Sequence, residues 1–348
     1  MLRVHLGPMA PNLVYVGTYT SPARGKGIVV FRQDRESGAL TEVQTFAEVA
    51  HPSFLTFDPT GRFLFAVNEH GRNGEVSSFQ VEKDTGVLTF LNRQPTMGGS
   101  PCHLCPDPSG KLLFVANYGS GSVVTLRILD DGKLEPVIDL RHHGEGALAH
   151  FVGFDPGGKF LLAVDKGKDR VFVYRPDVEK SLLIPVGSIA LKAKSGPRHL
   201  AFHPKLPVVF VNGELDMSLT VLTWNAESGA LAVGDRFETL PAGAKREGAS
   251  TAEIAVHPTG KALYISNRGH NSLAVFRLSE AGAPSLSQHL TTPKNPRHFA
   301  LDPSGKFLYL AGQNDDRIVG FKVDSETGDL SEAGIEAKTG SPVCLLFS

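Results

Sequence analysis

The chain has 348 residues, with 35 Lys and Arg against 36 Asp and Glu and a net charge of −1. That balance speaks against nucleic acid or an anionic membrane as a partner. Three cysteines are too few for a disulfide framework, and no run of 18 apolar residues offers a membrane-spanning helix, so a soluble, cytoplasmic protein is the expectation.

The opening "MLRVHLGPMAPN" lacks an apolar core long enough for a secretory signal, and residues 1–11 read as a disordered or extended leader. "VYVGTYT" (14–20) and "GIVVFRQDRESGAL" (27–40) read as the second and third strands of a unit whose first strand is missing. After them one phrase recurs: "FDPTGRFLFA" from Phe57, "PDPSGKLLFV" from Pro106, "FDPGGKFLLA" from Phe154, "FHPKLPVVFV" from Phe202, "VHPTGKALYI" from Val256 and "LDPSGKFLYL" from Leu301. The Asp or His before each proline falls at 58, 107, 155, 203, 257 and 302, so the period is 45 to 54 residues. A period of that size marks a propeller or a solenoid.

Residue types decide between the two. In one unit "HLCPD" reads as a strand, "KLLFVAN" as the next and "SVVTLRIL" as the third; the turn "DDGK" follows, and "LEPVIDL" supplies the fourth. Four short strands per unit describe a propeller blade. The C-terminal "SPVCLLF" (341–347) matches the first-strand pattern of "SPCHLCP", "GPRHLAF" and "NPRHFAL" and is followed by nothing that continues a blade. It therefore completes the first unit. The expectation is an all-β, seven-bladed propeller of four-stranded antiparallel blades, one domain over 1–348, with its ring closed by the last strand.

Equivalent positions surround one axis, so variation within a column marks a site. Four residues before the repeated Asp or His stand Phe54, His103, Phe151, His199, Glu253, His298 and, at the C-terminus, Cys344; one residue earlier stand Ser53, Cys102, His150, Arg198, Ala252, Arg297 and Val343. Strand packing needs only apolar side chains, so this His, Arg and Glu content predicts first strands facing a polar channel. A second column ends the second strands: Tyr19, Glu69, Tyr118, Lys166, Glu214, Arg268 and Gln313. The small polar residues just before it, among them Thr18, Asn68, Asn117, Asp165 and Asn267, read as turn caps. The recurrence of His103, His199 and His298 favours a shared bond to a neighbouring blade. His150 lies outside that column, which suggests a special role. Asp165, Asp169 and Arg170 read as an ion pair within a blade. Cys102 and Cys105 form a C-x-x-C, but no second ligand pair accompanies them, so buried thiols fit better than zinc.

"VYVGTYT", "AHFVGFDPGGKFLLAVDKGKDRVFVY", "GPRHLAFHP", "TAEIAVHPTGKALYISNRGHNSLAVF" and "PRHFALDPSGKFLYLAGQN", in this order, resemble the seven-bladed propeller lactonase family, which includes bacterial 6-phosphogluconolactonases and 3-carboxy-cis,cis-muconate lactonizing enzymes. The resemblance runs from about Asn12 to the C-terminus. It implies a lactone site near the axis built from a histidine, two arginines and a glutamate, which by motif fall on His150, Arg198, Arg268 and Glu214. Two departures stand out: Gly213 before Glu214, and Gly312 in "AGQ", where the family carries asparagine; both are expected to reposition or widen the mouth.

Lactone hydrolysis needs an activated water, charge relief at the carbonyl oxygen and an anchor for an anionic group. His150 suits the general base. Glu214 suits orientation of the histidine or the water, or proton donation if burial raises its pKa. Arg198 and Arg268 offer fork-shaped donors for phosphate, carboxylate or an oxyanion. His199, Arg297 and Asn267 complete the expected substrate-binding set. No G-x-S-x-G or H-E-x-x-H occurs, so the expectation is a water nucleophile with no metal and no cofactor. The substrate expected is a small anionic lactone, 6-phosphoglucono-1,5-lactone first, turned over by a monomer or weak homo-oligomer. A muconate cycloisomerase and a non-catalytic binding propeller remain as alternatives.

Overall fold

A computed structural model describes residues 12–348, so the leader read over 1–11 lies outside the described residues. Among the described residues, 28 strands form seven four-stranded antiparallel sheets, with no helix. Blade 1 is the one completed by the C-terminal strand Pro342–Phe347, which pairs antiparallel with Asn12–Thr18 in the register Val14↔Phe347, Tyr15↔Leu346, Val16↔Leu345. The first strands of blades 2 to 7 are Leu55–Phe57, Pro101–Pro106, Ala149–Phe154, Pro197–Phe202, Ser250–Val256 and Pro296–Leu301. Each pairs with a second strand such as Leu112–Asn117, all six of whose residues are buried.

Second strands have a neighbouring blade on both faces. Leu112, Phe114 and Ala116 of blade 3 pack into one cluster with Val152, Leu161 and Ala163 of blade 4, while Leu113 and Val115 pack backward with Phe65 and Val67 of blade 2. Burial on both faces is why these strands are continuous apolar runs rather than alternating ones. The one strand prediction that shifts is "LEPVIDL": the fourth strand of blade 3 is Asp139–His142, and residues 135–138 form no regular ladder, although Glu135 and Ile138 still donate to Arg127 O (3.0 Å) and Thr125 O (2.9 Å). Pro136 has no N–H to contribute to a ladder there.

The repeated turn now has a physical account. Asp107 Oδ1 accepts the N–H groups of Lys111 (2.7 Å) and Leu112 (2.6 Å), and Oδ2 accepts that of Ser109 (2.9 Å). Asp58, Asp155 and Asp302 serve Phe63, Phe160 and Phe307 in the same way at 2.7 to 2.9 Å. His203 and His257 accept local N–H groups through Nδ1 and send Nε2 to the carbonyls of Gly260 and Gly305 in the next blade, 3.0 Å each. An aspartate offers no proton for that second bond. Gly305 is held at a φ of +70°, and a Cβ on it would stand 3.0 Å from His257 Nε2, so the turn needs glycine twice over.

Candidate active site

Each first strand from blade 3 to blade 7 carries a register shift near its N-terminal end, between Pro101 and His103, Ala149 and Phe151, Pro197 and Leu200, Thr251 and Ile254, and Pro296 and His298. Successive residues of a regular strand point to opposite faces; a bulge breaks that alternation and re-aims a side chain. Here it lets two consecutive residues, Arg198 and His199 for example, both serve the axis, one at the mouth and one deeper.

The deeper layer is polar but closed, which corrects the expectation of a polar channel at this level. The Phe54 ring of blade 2 lies 4.0 Å from that of His103, 5.6 Å from His298 and 6.1 Å from His199, and His103 lies 4.4 Å from Phe151 and 5.2 Å from His199. His103, His199, Glu253, His298 and Cys344 are all buried. This is a packed plug across the axis.

Above the plug the mouth divides into two sectors. In the first, Lys166 Nζ donates to Glu214 Oε1 at 2.6 Å, Arg268 Nη2 lies 3.3 Å from Oε1, and Arg198 Nε lies 3.3 Å from Oε2. Lys166 also stands over the Tyr118 ring at 5.6 Å, whose edge meets His150 at 5.5 Å. In the second, Arg297 Nη2 donates to the Tyr19 hydroxyl (2.7 Å), which in turn donates to Glu69 (2.7 Å). Burial raises the Cys102 thiol, and charges of both sectors, Glu69, Arg198, Arg297 and Glu214, act on it, so this residue lies within electrostatic reach of both.

Electrostatics assign protonation states. Burial raises the Glu214 carboxyl, but Arg268, Arg198 and Lys166 outweigh it and draw the pKa down to about 2. Burial, then Arg198 and His199, hold His150 well below the usual histidine range, so it is neutral at pH 7. Burial lowers Arg268 to about 10, and it stays cationic. Buried Nδ1 of His150 and Nε of Arg268 have no hydrogen-bond partner among the described residues. Unpaired buried polar atoms are costly and recur where a ligand completes a site.

His150, Arg198, Glu214, Arg268 and Arg297 thus gather at one mouth, and four expectations need correction. Glu214 contacts Lys166, Arg198 and Arg268 rather than His150, and its depressed pKa makes it a carboxylate at neutral pH, not a proton donor. Asn267 is fully buried and committed: Oδ1 accepts from Thr239 Oγ1 (2.8 Å), and Nδ2 donates to Thr239 O (3.1 Å) and Ser272 Oγ (3.2 Å), so it is a turn cap with no group left for substrate. His199 belongs to the plug, its Nδ1 3.2 Å from Glu253. The Asp165, Asp169 and Arg170 ion pair does not form: Asp165 bonds His143 (2.7 Å), Asp169 accepts backbone N–H groups of Lys194 and Gly196, and Arg170 reaches Ser188. Cys102 and Cys105 are free thiols, Cys105 pushed up to about 12 by burial.

Lys166, Tyr19 and Glu69 were legible as column members but carried no motif of their own; contact with Glu214 and Arg297 is what brings them into the site. The two glycines do not leave open space. A Cβ at Gly213 would meet Asp216 Oδ1 and Ser218 Oγ at 2.5 Å, and one at Gly312 would meet Pro293 Cβ at 2.4 Å. Neighbours fill the room that an asparagine would take. A cleft of about 540 Å3 beside blades 1 and 2, lined in part by Lys26, Glu48 and Arg93, contains none of the mouth residues.

A family model described as "Lactonase, 7-bladed beta-propeller" matches residues 13–347. The chain is 32% identical over 349 residues to the 6-phosphogluconolactonase of Bacillus subtilis, covering 97% of this chain and 99% of the relative. Among solved structures, the periplasmic gluconolactonase of Pseudomonas aeruginosa superposes with a TM-score of 0.91 at 29% identity, over 97% of this chain and 99% of the other. A protein from Lactobacillus plantarum does so with a TM-score of 0.90 at 28% identity, over 98% and 100%.

Proposed function

This chain belongs to the seven-bladed β-propeller lactonase family, and we propose that its mouth hydrolyses a sugar lactone bearing one anionic group, 6-phosphoglucono-1,5-lactone before others. The observation that carries this reading is the meeting of Lys166, Arg198 and Arg268 on Glu214 beside a neutral His150. The 6-phosphogluconolactonase name of the Bacillus subtilis relative supports the phosphorylated substrate; the Pseudomonas aeruginosa relative is named for gluconolactone. Lys166, Arg198, Arg268 and Arg297 exceed the two carboxylates Glu69 and Glu214, an excess that suits a phosphate dianion. We read residues 1–348 as one domain and retain the cytoplasm as its compartment, with the pentose phosphate pathway as the matching route; no helix of the described residues is long and apolar enough to cross a membrane.

In this mechanism His150 takes a proton from water as its oxygen attacks the lactone carbonyl carbon. Arg198 or Arg268 stabilises the oxyanion, a contribution of about 3 kcal/mol per donor in comparable sites. The tetrahedral intermediate collapses by breaking the bond from that carbon to the ring oxygen, which receives the proton from His150. The products are a carboxylic acid, ionised at neutral pH, and a free hydroxyl. Glu214 keeps the guanidinium groups and Lys166 in place. The same cations depress His150, so an anionic substrate that offsets them raises its basicity at the moment of use.

The second sector favours hydrolysis over cycloisomerisation of a carboxymuconate. Tyr19 and Glu69 suit sugar hydroxyls, whereas Glu69 would repel one of several substrate carboxylates. A protein-docking role draws no support from Trp224, which is buried against Phe160 and Phe202 at 5.6 and 5.7 Å.

The test is lactone hydrolysis by purified protein, corrected for the spontaneous rate. Wild type should exceed His150→Ala at every pH from 6 to 8, and the acid limb of kcat should lie above that of kcat/KM because the first reports the substrate-bound enzyme. Equal rates for the two proteins would sink the assignment.

A further inference from the structure

Glu253 lies in the plug, one layer below the residues that meet substrate in the mechanism above. It stands at the column position occupied by His103 in blade 3, His199 in blade 5 and His298 in blade 7. Two of those histidines do one job. His103 Nδ1 accepts the N–H of Val152 in the next blade (3.4 Å), and His298 Nδ1 accepts that of Leu345 (3.2 Å). A ring that accepts at Nδ1 while neutral carries its proton on Nε2.

His199 cannot do the same job. The equivalent N–H, that of Ile254, is taken by Glu253 Oε1 at 3.1 Å, and the same oxygen lies 3.2 Å from His199 Nδ1. Burial raises the Glu253 carboxyl, but Oε1 accepts the Ile254 N–H and Oε2 lies 3.3 Å from the protonated Nε2 of His298, so both oxygens face donors. Facing an acceptor instead of a donor, His199 places its proton on Nδ1, the opposite tautomer to its two counterparts. Its ring also bears the guanidinium of Arg198. Arg198 Nη1 approaches Nε2 more closely (3.2 Å) than Nδ1 (3.5 Å), and Nε2 is the nitrogen that the Nδ1–H tautomer leaves as an acceptor while the other tautomer would turn a proton toward the guanidinium; the same Arg198 nitrogen donates to Ala252 O at 2.6 Å. A neutral imidazole accepts a cation there, and an imidazolium would repel it.

We propose that Glu253 is a positioning residue that acts through His199 on Arg198: by claiming the Ile254 N–H it fixes His199 as the neutral Nδ1–H tautomer, whose ring seats the guanidinium facing Glu214 and the substrate. This explains why blade 6 alone places a carboxylate in a layer otherwise made of Phe, His and Cys. It also makes His199 a support for the substrate-binding arginine rather than a substrate ligand.

The test uses 15N-histidine-labelled full-length protein, with kinetics as a second arm. Only the kinetic arm rests on the lactonase reading. In wild type, His199 should show the Nδ1–H pattern while His103 and His298 show Nε2–H. In Glu253→Leu the Ile254 N–H is freed, and His199 should switch to Nε2–H like its counterparts. KM for the lactone should rise by about tenfold, the equivalent of one charge-assisted contact, with kcat within about threefold. Glu253→Gln is no simple rescue, because keeping Oε1 on the Ile254 N–H turns its amide NH2 toward the protonated His298 Nε2, which lies 3.3 Å from Oε2 in wild type, so the wild-type tautomers are decisive if Glu253→Leu does not fold. An Nε2–H wild-type His199, or a folded Glu253→Leu protein whose His199 stays Nδ1–H, overturns the proposal. A switch in Glu253→Leu with KM unchanged overturns its effect on Arg198. Absence of lactone turnover in wild type, with the Nδ1–H pattern and its switch intact, refutes the function proposed above and leaves the support for the tautomer standing.

Discussion

The two ends of a first strand obey different rules. At the end that leads into the Asp-Pro or His-Pro turn, four blades use the same aspartate to accept the same backbone N–H groups. At the other end the bulged position is Cys102, His150, Arg198 or Arg297 according to the blade. Repetition holds where every blade faces one backbone geometry, and it stops where the blades converge on one mouth. The lesson is that recurrence marks structure in this chain and departure from it marks chemistry.

The largest expected contrast is between the ends themselves. His150→Ala should lower kcat by about 10^2–10^4, and Arg198→Ala should lower kcat/KM by about 10^2–10^3. His150→Ala should keep the denaturant midpoint near wild type, since His150 carries no turn, whereas Arg198→Ala should lower it modestly, because the buried guanidinium holds Glu214 and donates to Ala252 O; steady-state kinetics beside urea unfolding reads both quantities. A large loss of stability in both variants would erase the distinction.

Glu214 is expected to link the two ends. Its pKa of about 2, against an ordinary value near 4.5, means that it contributes stability above pH 4.5 which is lost as pH falls toward 2. The contribution is on the order of 3 kcal/mol for a carboxylate this well covered. Urea midpoints at pH 6 and pH 3 should differ more for wild type than for Glu214→Gln, and equal pH slopes would count against the cationic grip.

At the turn end the signs reverse. Asp107→Ala abandons the N–H groups of Ser109, Lys111 and Leu112. It should cost about 2 kcal/mol of stability and leave kcat untouched. Smallest of all, His257→Asp keeps the local acceptor but loses the bond to Gly305 O, for about 1 kcal/mol. A larger loss than in Asp107→Ala would show that the link between blades outweighs the turn.

Much of this was legible without coordinates. The period, the four strands per unit and the incomplete first unit fixed seven blades and the closing strand, because strand patterning and turn chemistry are local properties that each blade repeats. His150, Arg198, Glu214 and Arg268 could be marked because they stand in the varying columns and because the lactonase resemblance, by motif, places the site on them. Asn267 was overread because a cap and a ligand contact share one residue type, and only the commitment of its amide to Thr239 and Ser272 separates them.

What the order of residues left open are the properties that depend on partners from other blades. The closed plug needs Phe54 to reach His199 and His298 across the axis. The ionised state of Glu214 needs cations from blades 4, 5 and 6 at once. The tautomer of His199 depends on which side chain claims the N–H of Ile254. Covalent neighbours dictate backbone shape, but charge and protonation respond to whatever lies within a few ångströms, and in a ring those neighbours come from distant stretches of chain.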